Sequence, residues 1–508
     1  MRALEETPRV RVELDGAPLE ESDASALTSV LVRQCLSRPT ACELVFGDPE
    51  GPLAGGDLPL GSPLSVAVGG APLFEGECTA TLHDFGPGRG RELRVRAYDR
   101  LHRLRKRRPL RVHVDVTPES LARELAAPLG LDVSAAEPGP VWPRLLQHGR
   151  SDLDLLEAVA ARSGADFFLR GGVLHLFSLG GFADGPPLSL GDSLIEARVE
   201  RNAETACRSV QVLASDWGEV AARAGEATGA GVDPGPGPAY EPEQLGLDGR
   251  RARAGLALAH DGQAAALAQA ELDRGRAGEV VCTGVARGDP ELFPGARFEL
   301  GGTGLAGGGF VVAGATHRIR ASRGYLTEFT TAPPSPREGG ASGGAADPVS
   351  VAHGVVTSLR DPLDLGRVQV RLPAYGELES DWMAVLVPGA GDSKGLVALP
   401  DVGDDVLVLF RDETTGQGVV LGGLYGRRGS PEPPVDGRTL RFALRTPGGQ
   451  RVVLDDAARS ARVEVAGGSF LELAPGGVRL HAAADLTIEA PGRSIVIGAR
   501  RVDFAGRG

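Results

Sequence analysis

The sequence has few aromatic residues, 5% of 508 positions, and only two methionines. Little is therefore available to stack on nucleobases. The charge also has the wrong sign for a polyanion, with 54 Lys and Arg against 67 Asp and Glu, a net −13. Phosphate neutralisation dominates nucleic-acid affinity, so this balance argues against a nucleic-acid partner. The one basic run, Tyr98 to Val114 with its cations between Arg100 and Arg111, has no alternating aromatics. It reads as a solvated face, an anionic-surface patch or a contact with an acidic protein. No stretch approaches the length of an apolar transmembrane helix. The opening "MRALEETPRVRVELDG" has no apolar core of a secretory signal, which predicts synthesis and assembly in the cytoplasm. The five cysteines (Cys35, Cys42, Cys78, Cys207 and Cys282) form no C-x-x-C pair. They read as buried reduced thiols.

What the chain does have is glycine, 73 residues, and proline, 37. So many turns predict a mainly β protein, and the length predicts roughly three or four domains. "RVRVELDG" alternates and breaks at Asp15-Gly16, a hairpin signal. Gly69-Gly70 and Gly171-Gly172 mark two more turns. Two helices stand out. Thr117 is placed to cap one, with Pro118 at its first position and Leu121, Leu125 and Leu129 on one face. Ser151, with Asp154 three residues on, caps the other, which stops at Gly164. A third, Ala-rich helix interrupts a β region after Asp261. Pro- and Gly-rich stretches at 332–350 and 427–439 read as linkers.

From Arg462 onward apolar pairs recur at i, i+2: Val463/Val465, Leu471/Leu473, Val478/Leu480, Leu486/Ile488, Ile495/Ile497 and Val502/Phe504. Ordering a three-residue strand costs about 3–6 kcal/mol of backbone entropy. Burying one aliphatic pair returns about 3–6 kcal/mol. A lone chain leaves most of that surface wet and its sheet edges open, so the balance fails for one copy. Three chains closing a triangular β-prism is the smallest arrangement that fits such short faces, with Gly467-Gly468, Gly476-Gly477 and Gly492 at the corners. A single-chain β-solenoid is the alternative, but it has few coils and uncapped ends.

The region after the first linker resembles the barrel domain of contractile phage tail spikes and of the VgrG proteins of type VI secretion. The matching elements are Asp361-Pro362-x-x-Leu365-Gly366-Arg367-Val368, the Ser380-x-Trp382 strand, Pro400-x-Val402-Gly403-Asp404, and Val420 to Tyr425 with Gly422. The segment 151–177 resembles the hub part of the same family, seen also in phage late control D proteins. The resemblance implies a fold: tube-like β-barrel hub domains with a small α/β insert, an OB-fold barrel, and a C-terminal intertwined trimeric β-prism. The expected divisions are a first hub β-barrel at 1–104, a small α/β module at 105–185 and a second hub β-barrel at 186–331. After the linker come an OB-fold barrel at 351–426, the second linker, and the prism at 440–508.

The implied function is that of a structural hub and spike of a contractile injection system. It would join a hexameric tail tube to a membrane-puncturing needle and touch the target membrane only on puncture. The implied partners are two further copies, the tube protein, baseplate wedge proteins, a PAAR-type tip protein seated on Val502 and Phe504, and cargo effectors. A phage-tail-like particle is the first reading; a type VI VgrG or a phage hub–spike is the alternative. The chain would be a component of the particle, ejected or delivered on contraction. A receptor-binding adhesin or a peptidoglycan hydrolase is the alternative of another class. A lysozyme-type site needs two carboxylates in a cleft, and no stretch between barrel and prism has room for one. Asp404/Asp405 and Asp455/Asp456 read as turn residues. The nine histidines show no H-E-x-x-H or H-x-H, and His481 reads as a lone surface or corner residue. No enzyme activity, cofactor or metal is expected.

Overall fold

In a computed structural model the described residues are 9–55, 58–86, 90–204, 206–233, 235–236, 249–304, 308–320, 323–334, 349–412, 416–426 and 429–503. Strand takes 47% of the chain and helix 13%, so the mainly β expectation holds. The chain divides into two compact units, Met1–Leu424 and Tyr425–Gly508.

The first unit is organised by an 11-stranded antiparallel sheet. In spatial order its strands are Leu194–Arg201, Val280–Arg287, Gly324–Thr330, Gly314–Arg320, Leu27–Cys35, Ala41–Gly47, Gly90–Tyr98, Ala71–Gly86, Pro63–Val68, Val10–Leu14 and Ala17–Pro18. The hairpin signals act as turns. Asp15 and Gly16 both take positive φ (52° and 78°), as do Gly171 and Gly172 (56° and 78°). A two-residue turn with both φ positive matches the strand twist, and few residues besides Gly, Asn and Asp tolerate it.

The two segments expected as separate hub barrels share this one sheet, whose first and last strands do not pair among the described residues. They meet where Gly314–Arg320 pairs with Ser29–Cys35, from Gly314 opposite Cys35 to Arg320 opposite Ser29. Each half still has its own core. Val30, Leu44, Phe46, Leu64, Val66 and Val95 are buried in one half; Leu194, Cys282, Phe298, Phe310 and Phe329 are buried in the other.

Five α-helices occur among the described residues: α1 Glu21–Ala26, α2 His102–Lys106, α3 Pro118–Ala126, α4 Asp152–Arg162 and α5 Asp261–Ala277. The two expected caps form. Thr117 accepts from the Ser120 N–H and Ser151 from the Asp154 N–H, each as a reciprocal capping box. The module expected at 105–185 does not keep its core to itself. Leu121, Leu125, Leu153, Leu156 and Phe167 pack in one cluster with Val210, Val212, Leu258, Leu267 and Leu272. The three-stranded sheet Ala221–Ala227, Ser209–Asp216, Arg250–Ala257 and α5 thus belong with that module. Short amphipathic helices need a partner surface, and the β-region inserted before α5 supplies it.

The OB region forms a six-stranded sheet: Leu378–Glu379, Gln369–Leu372, Ser350–Ser358, Asp405–Asp412, Gln417–Gly423 and Ala384–Val385. Its core of Val356, Val370, Leu372, Val406, Val408, Phe410 and Val420 also takes in Leu146 from strand Trp142–Gln147. Arg162 of α4 pairs with Asp412 at 2.8 Å, and Arg144 donates to the Glu379 carbonyl at 2.9 Å.

A polar knot sits at the joint between the two halves. His317, fully buried, lies 3.0 Å from the Tyr325 hydroxyl and 3.1 Å from Thr327 Oγ1 through Nδ1, and 3.3 Å from Gln34 Oε1 through Nε2. Burial with no acid beside it pushes the imidazole pKa down to about 3. The unfolded chain binds this proton near its ordinary pKa, so unfolding takes up a proton between roughly pH 6.5 and 3. The knot's contribution is complete above that window and is lost as pH falls through it. Urea unfolding of the hub at pH 7 and pH 4 checks this: His317→Gln should lower stability at pH 7 by about 1–3 kcal/mol and bring it closer to the natural chain at pH 4.

Candidate functional site

The second unit begins with an antiparallel meander of five strands: Arg441–Arg445, Arg451–Asp455, Ser460–Glu464, Phe470–Ala474 and Gly477–His481. Its registers align two rows of side chains on one face. One row is Leu444, Val452, Val463, Leu471 and Leu480; the other is Phe442, Leu454, Ala461, Leu473 and Val478. Every large apolar member is exposed in the single chain, Val478 to 70%. The opposite face is ionic. Arg441 pairs with Asp455 (2.7 Å), Arg451 with Glu464 (2.7 Å), and Arg462 with Glu464 (2.9 Å) and Glu472 (3.5 Å). Hydrogen bonds from Arg451 and Arg462 hold the Glu464 carboxyl below its usual range. The Arg462 guanidinium also lies 3.7 Å above the Phe470 ring.

This inverts the usual arrangement: the charged face is laced together and the apolar face is bare. Of the residues expected in a shared core, Val463, Leu471, Leu473, Val478 and Leu480 stand in these rows, and Val465 follows directly after the third strand. Sequence reading missed Phe442, Leu444, Val452 and Leu454, which extend both rows. The signal was present as the same i, i+2 spacing in "RFALR" and "RVVLD".

Among the described residues beyond His481 the expected short strands are not formed within the chain. Leu486, Ile488, Ile495, Ile497 and Val502 are exposed, and Phe504 lies outside the described residues. From Ala484 to Asp503 a single backbone–backbone hydrogen bond is present, Arg493 N–H to the Ala490 carbonyl (2.9 Å).

The OB motif residues form a locked turn. Asp361 is buried, and its carboxylate accepts from the N–H groups of Leu363 (3.0 Å), Leu365 (2.9 Å) and Arg367 (3.2 Å). It also accepts from the Arg367 guanidinium at 3.0 and 2.6 Å. These bonds, the guanidinium's above all, hold its pKa far below the carboxylate range. Gly366 (φ 75°) lets the chain double back. Ser380 accepts from the Val370 N–H (3.0 Å), and Trp382, half-buried, is fixed through its N–H to Asp381 (2.7 Å). Pro400 leads into a second turn, in which Gly403 (φ 87°) donates to the Val356 carbonyl (2.8 Å) and Asp404 accepts from Asp401 N–H (2.8 Å). Gly422 sits opposite Leu407 at a register shift between the two strands, and Tyr425 is exposed. These residues shape turns and do not converge on a pocket.

Part of the basic run is paired within the chain, while Arg100, Arg105, Lys106 and Arg108 are exposed. Arg103 pairs with Glu77 (2.6 Å), Arg107 with Asp152 (3.0 Å) and Arg111 with Glu124 (3.2 Å). Asp405 holds His353 (2.8 Å), and Asp455 is placed by Arg441 and the Ala458 N–H. His481 is exposed with its ring 5.0 Å from Phe470. Among the described residues no group of three or more His, Cys, Asp or Glu side chains is placed to hold a metal. Among the described residues no helix is long and apolar enough to cross a membrane. The cysteines are free; all but the half-buried Cys35 are buried.

A long hub sheet, a helical module fastened to an OB-type sheet, and a tail sheet with a bare apolar face define a modular structural tail protein. Residues 36–323, more than half of the chain, match the phage tail baseplate hub (GPD) family, and the chain belongs to it. Residues 352–425 match the type VI secretion system/phage-baseplate injector OB domain. It is a structural baseplate hub protein of the phage and type VI secretion kind. Three solved structures share the fold. The Francisella PdpA–VgrG complex aligns with TM-score 0.53 at 8% identity, covering 94% of this chain and 81% of that one. The E. coli c3393 protein, a type VI secretion component, aligns with TM-score 0.50 at 15% identity, covering 81% and 99%. The 43 kDa tail protein of Shewanella oneidensis prophage MuSo2 aligns with TM-score 0.50 at 15% identity, covering 64% and 98%. No curated protein matches the chain.

Removing one partner of the Asp361–Arg367 pair strands a buried charge, at a cost of about 3–5 kcal/mol. Asp361→Ala should therefore lower the OB-region melting transition sharply and open the 359–366 turn to protease, while Asp364→Asn, which keeps a residue that tolerates the positive φ of 52° there, leaves both unchanged.

Proposed function

We propose that the chain is the hub and spike of a contractile injection particle, working as a homotrimer. The single observation that carries this reading is the bare two-row apolar face of the tail meander. It continues into some twenty residues whose backbone has almost no partner within the chain. Three meanders placed face to face bury both rows. Winding the segment after His481 with its two copies supplies the missing ladder. Fully burying each aliphatic side chain contributes about 1.5–3 kcal/mol, which repays the ordering that one chain alone cannot. The trimer core then comprises Val463, Val465, Leu471, Leu473, Val478, Leu480, Leu486, Ile488, Ile495 and Ile497, joined by Phe442, Leu444, Val452 and Leu454.

The ionic faces turn outward and stiffen a narrow column, so force from a contracting sheath falls on a small area. The hub engages the hexameric tail tube and the baseplate wedge. Val502 and Phe504 seat a tip protein of the PAAR type. No step requires an active site. Assembly takes place in the cytoplasm, and the column meets a membrane only when fired. Neighbouring genes distinguish a phage-tail-like particle from a type VI system: the second brings a membrane complex, the first does not.

Mass in solution tests the reading. The particle should measure three times the 52.6 kDa of the chain, and a monodisperse monomer with an ordered tail overturns it. Ile488→Asp places a charge in the shared core at a cost of about 2 kcal/mol or more per copy. It should shift trimer dissociation to at least tenfold higher protein concentration while the hub melting transition stays in place.

A further inference from the structure

From Arg100 to Arg108 the chain puts six cations and no acid into nine residues, although its net charge is −13. Part of this run serves the fold. Leu101 and Leu104 are buried, and α2 packs on α4. Three cations are pinned by neighbours: Arg103 by Glu77 (2.6 Å), Arg107 by Asp152 (3.0 Å), and Arg105 over the Tyr98 ring, 5.0 Å from its centre. The acids around the run are already engaged. Glu77 also meets His102 (3.2 Å), and Asp152 accepts from Gln147 (2.8 Å). Asp99 is buried and accepts from the N–H groups of Thr40 (2.7 Å) and Leu101 (3.0 Å). Among the described residues no acid meets Arg100, Lys106 or Arg108, and all three are exposed.

Nothing inside the chain repays these three charges. The helix has five residues, and Leu101 at its N-cap offers no side-chain acceptor. The helix dipole favours cations in the last turn only, whereas Arg100 lies before the helix and Arg108 beyond it. Arg103 and Lys106 are like charges one turn apart, which weakens a helix. Charges kept against local preference, with no gain in the fold, mark a surface that works on something else.

We infer that Arg100, Lys106 and Arg108, with Arg105 beside them, form a docking ridge for an acidic segment of a separate protein. The ridge lies outside the tail, so this stands apart from the three-copy reading. Five of the six cations are Arg, whose planar fork matches a carboxylate. The pinned neighbours hold the ridge in shape before anything binds, which lowers the ordering cost. Attraction reaches only about 8–10 Å at physiological salt. A narrow acidic segment therefore feels the ridge alone. A membrane or a nucleic-acid duplex is broad and uniformly negative, and it also meets the acidic remainder of the chain. Tyr98 lies under Arg105 and is not open for stacking on a base.

The test uses the full chain and a fluorescent oligoglutamate peptide as the probe. Binding should weaken steadily with added salt. Arg100→Glu, Lys106→Glu and Arg108→Glu together should weaken it about tenfold or more. Arg9→Glu, Arg320→Glu and Arg323→Glu, the same charge change on exposed residues elsewhere, should weaken it less than threefold. No binding at low salt, or equal loss in both variants, overturns the inference. Tighter binding of phosphatidylglycerol vesicles or of a single-stranded oligonucleotide overturns the choice of partner. A change in native mass on charge reversal assigns the ridge to a second copy and overturns it too. The neutral set Arg100→Gln, Lys106→Gln and Arg108→Gln gives an independent readout. It should lose peptide binding yet melt no lower than the natural chain; a lower melting temperature would mean that the cations serve the fold, against the inference.

Discussion

The ladder between Ser29–Cys35 and Gly314–Arg320 is the constraint on which the hub depends. It joins two strands that nearly three hundred residues of chain separate. The segments from Asp99 to Ser193 and from Asn202 to Glu279 leave the sheet between these two strands, and the chain returns to it after each. Loop closure over such a length is costly, and the cost is offset by two cores that form on either side of the joint. The buried His317 adds a constraint that apolar packing does not supply. Its two ring nitrogens face partners on two different strands, so a register slip leaves buried polar groups unpaired. The knot therefore contributes specificity of pairing along with stability.

The two units solve opposite problems. In the first, hydrophobic side chains find partners within the chain: α3, α4, α5 and the sheet Ser209–Asp216 share one cluster, and Leu146 reaches into the OB core. Ion pairs such as Arg162–Asp412 then hold neighbouring parts in place. In the second, the in-chain bonds are ionic and the apolar rows are left over. A five-residue strand has room for two apolar side chains on one face, too few to build a core from a single layer. The Arg451–Glu464–Arg462–Glu472 ladder ties the second, third and fourth strands together in register, so the layer arrives as a finished facet.

Much of this was legible because the signals are local. Asp15-Gly16 and Gly171-Gly172 dictate turns through their backbone freedom. Thr117 and Ser151 dictate helix starts through their side-chain oxygens. The D-P-x-x-L-G-R-V turn is recognisable because Asp361 must reach three N–H groups and one guanidinium within seven residues. The division between 105–185 and 186–331 was not legible. The surface that α3 and α4 cover lies on Ser209–Asp216 and α5, and no local pattern marks which distant strand a helix face will meet. The pairing within the basic run was not legible for the same reason: the acids that meet Arg103, Arg111 and Arg107, namely Glu77, Glu124 and Asp152, come from elsewhere in the chain. Phe442 and Leu454 were overlooked because their spacing looks like any half-buried strand until register aligns them with Leu473 and Val478.

The sequence by itself determined the mainly β character, the turns, the capped helices, the locked OB turn and the period of the tail, since each follows from interactions spanning a few residues. Only the tertiary structure decided that two hub segments form one sheet, and that the apolar side chains of the tail meander line up on one exposed face. Those depend on which strands become neighbours. Backbone hydrogen bonding is indifferent to side-chain identity, so strand partners are chosen by the packing of the whole and not by the strand's own residues.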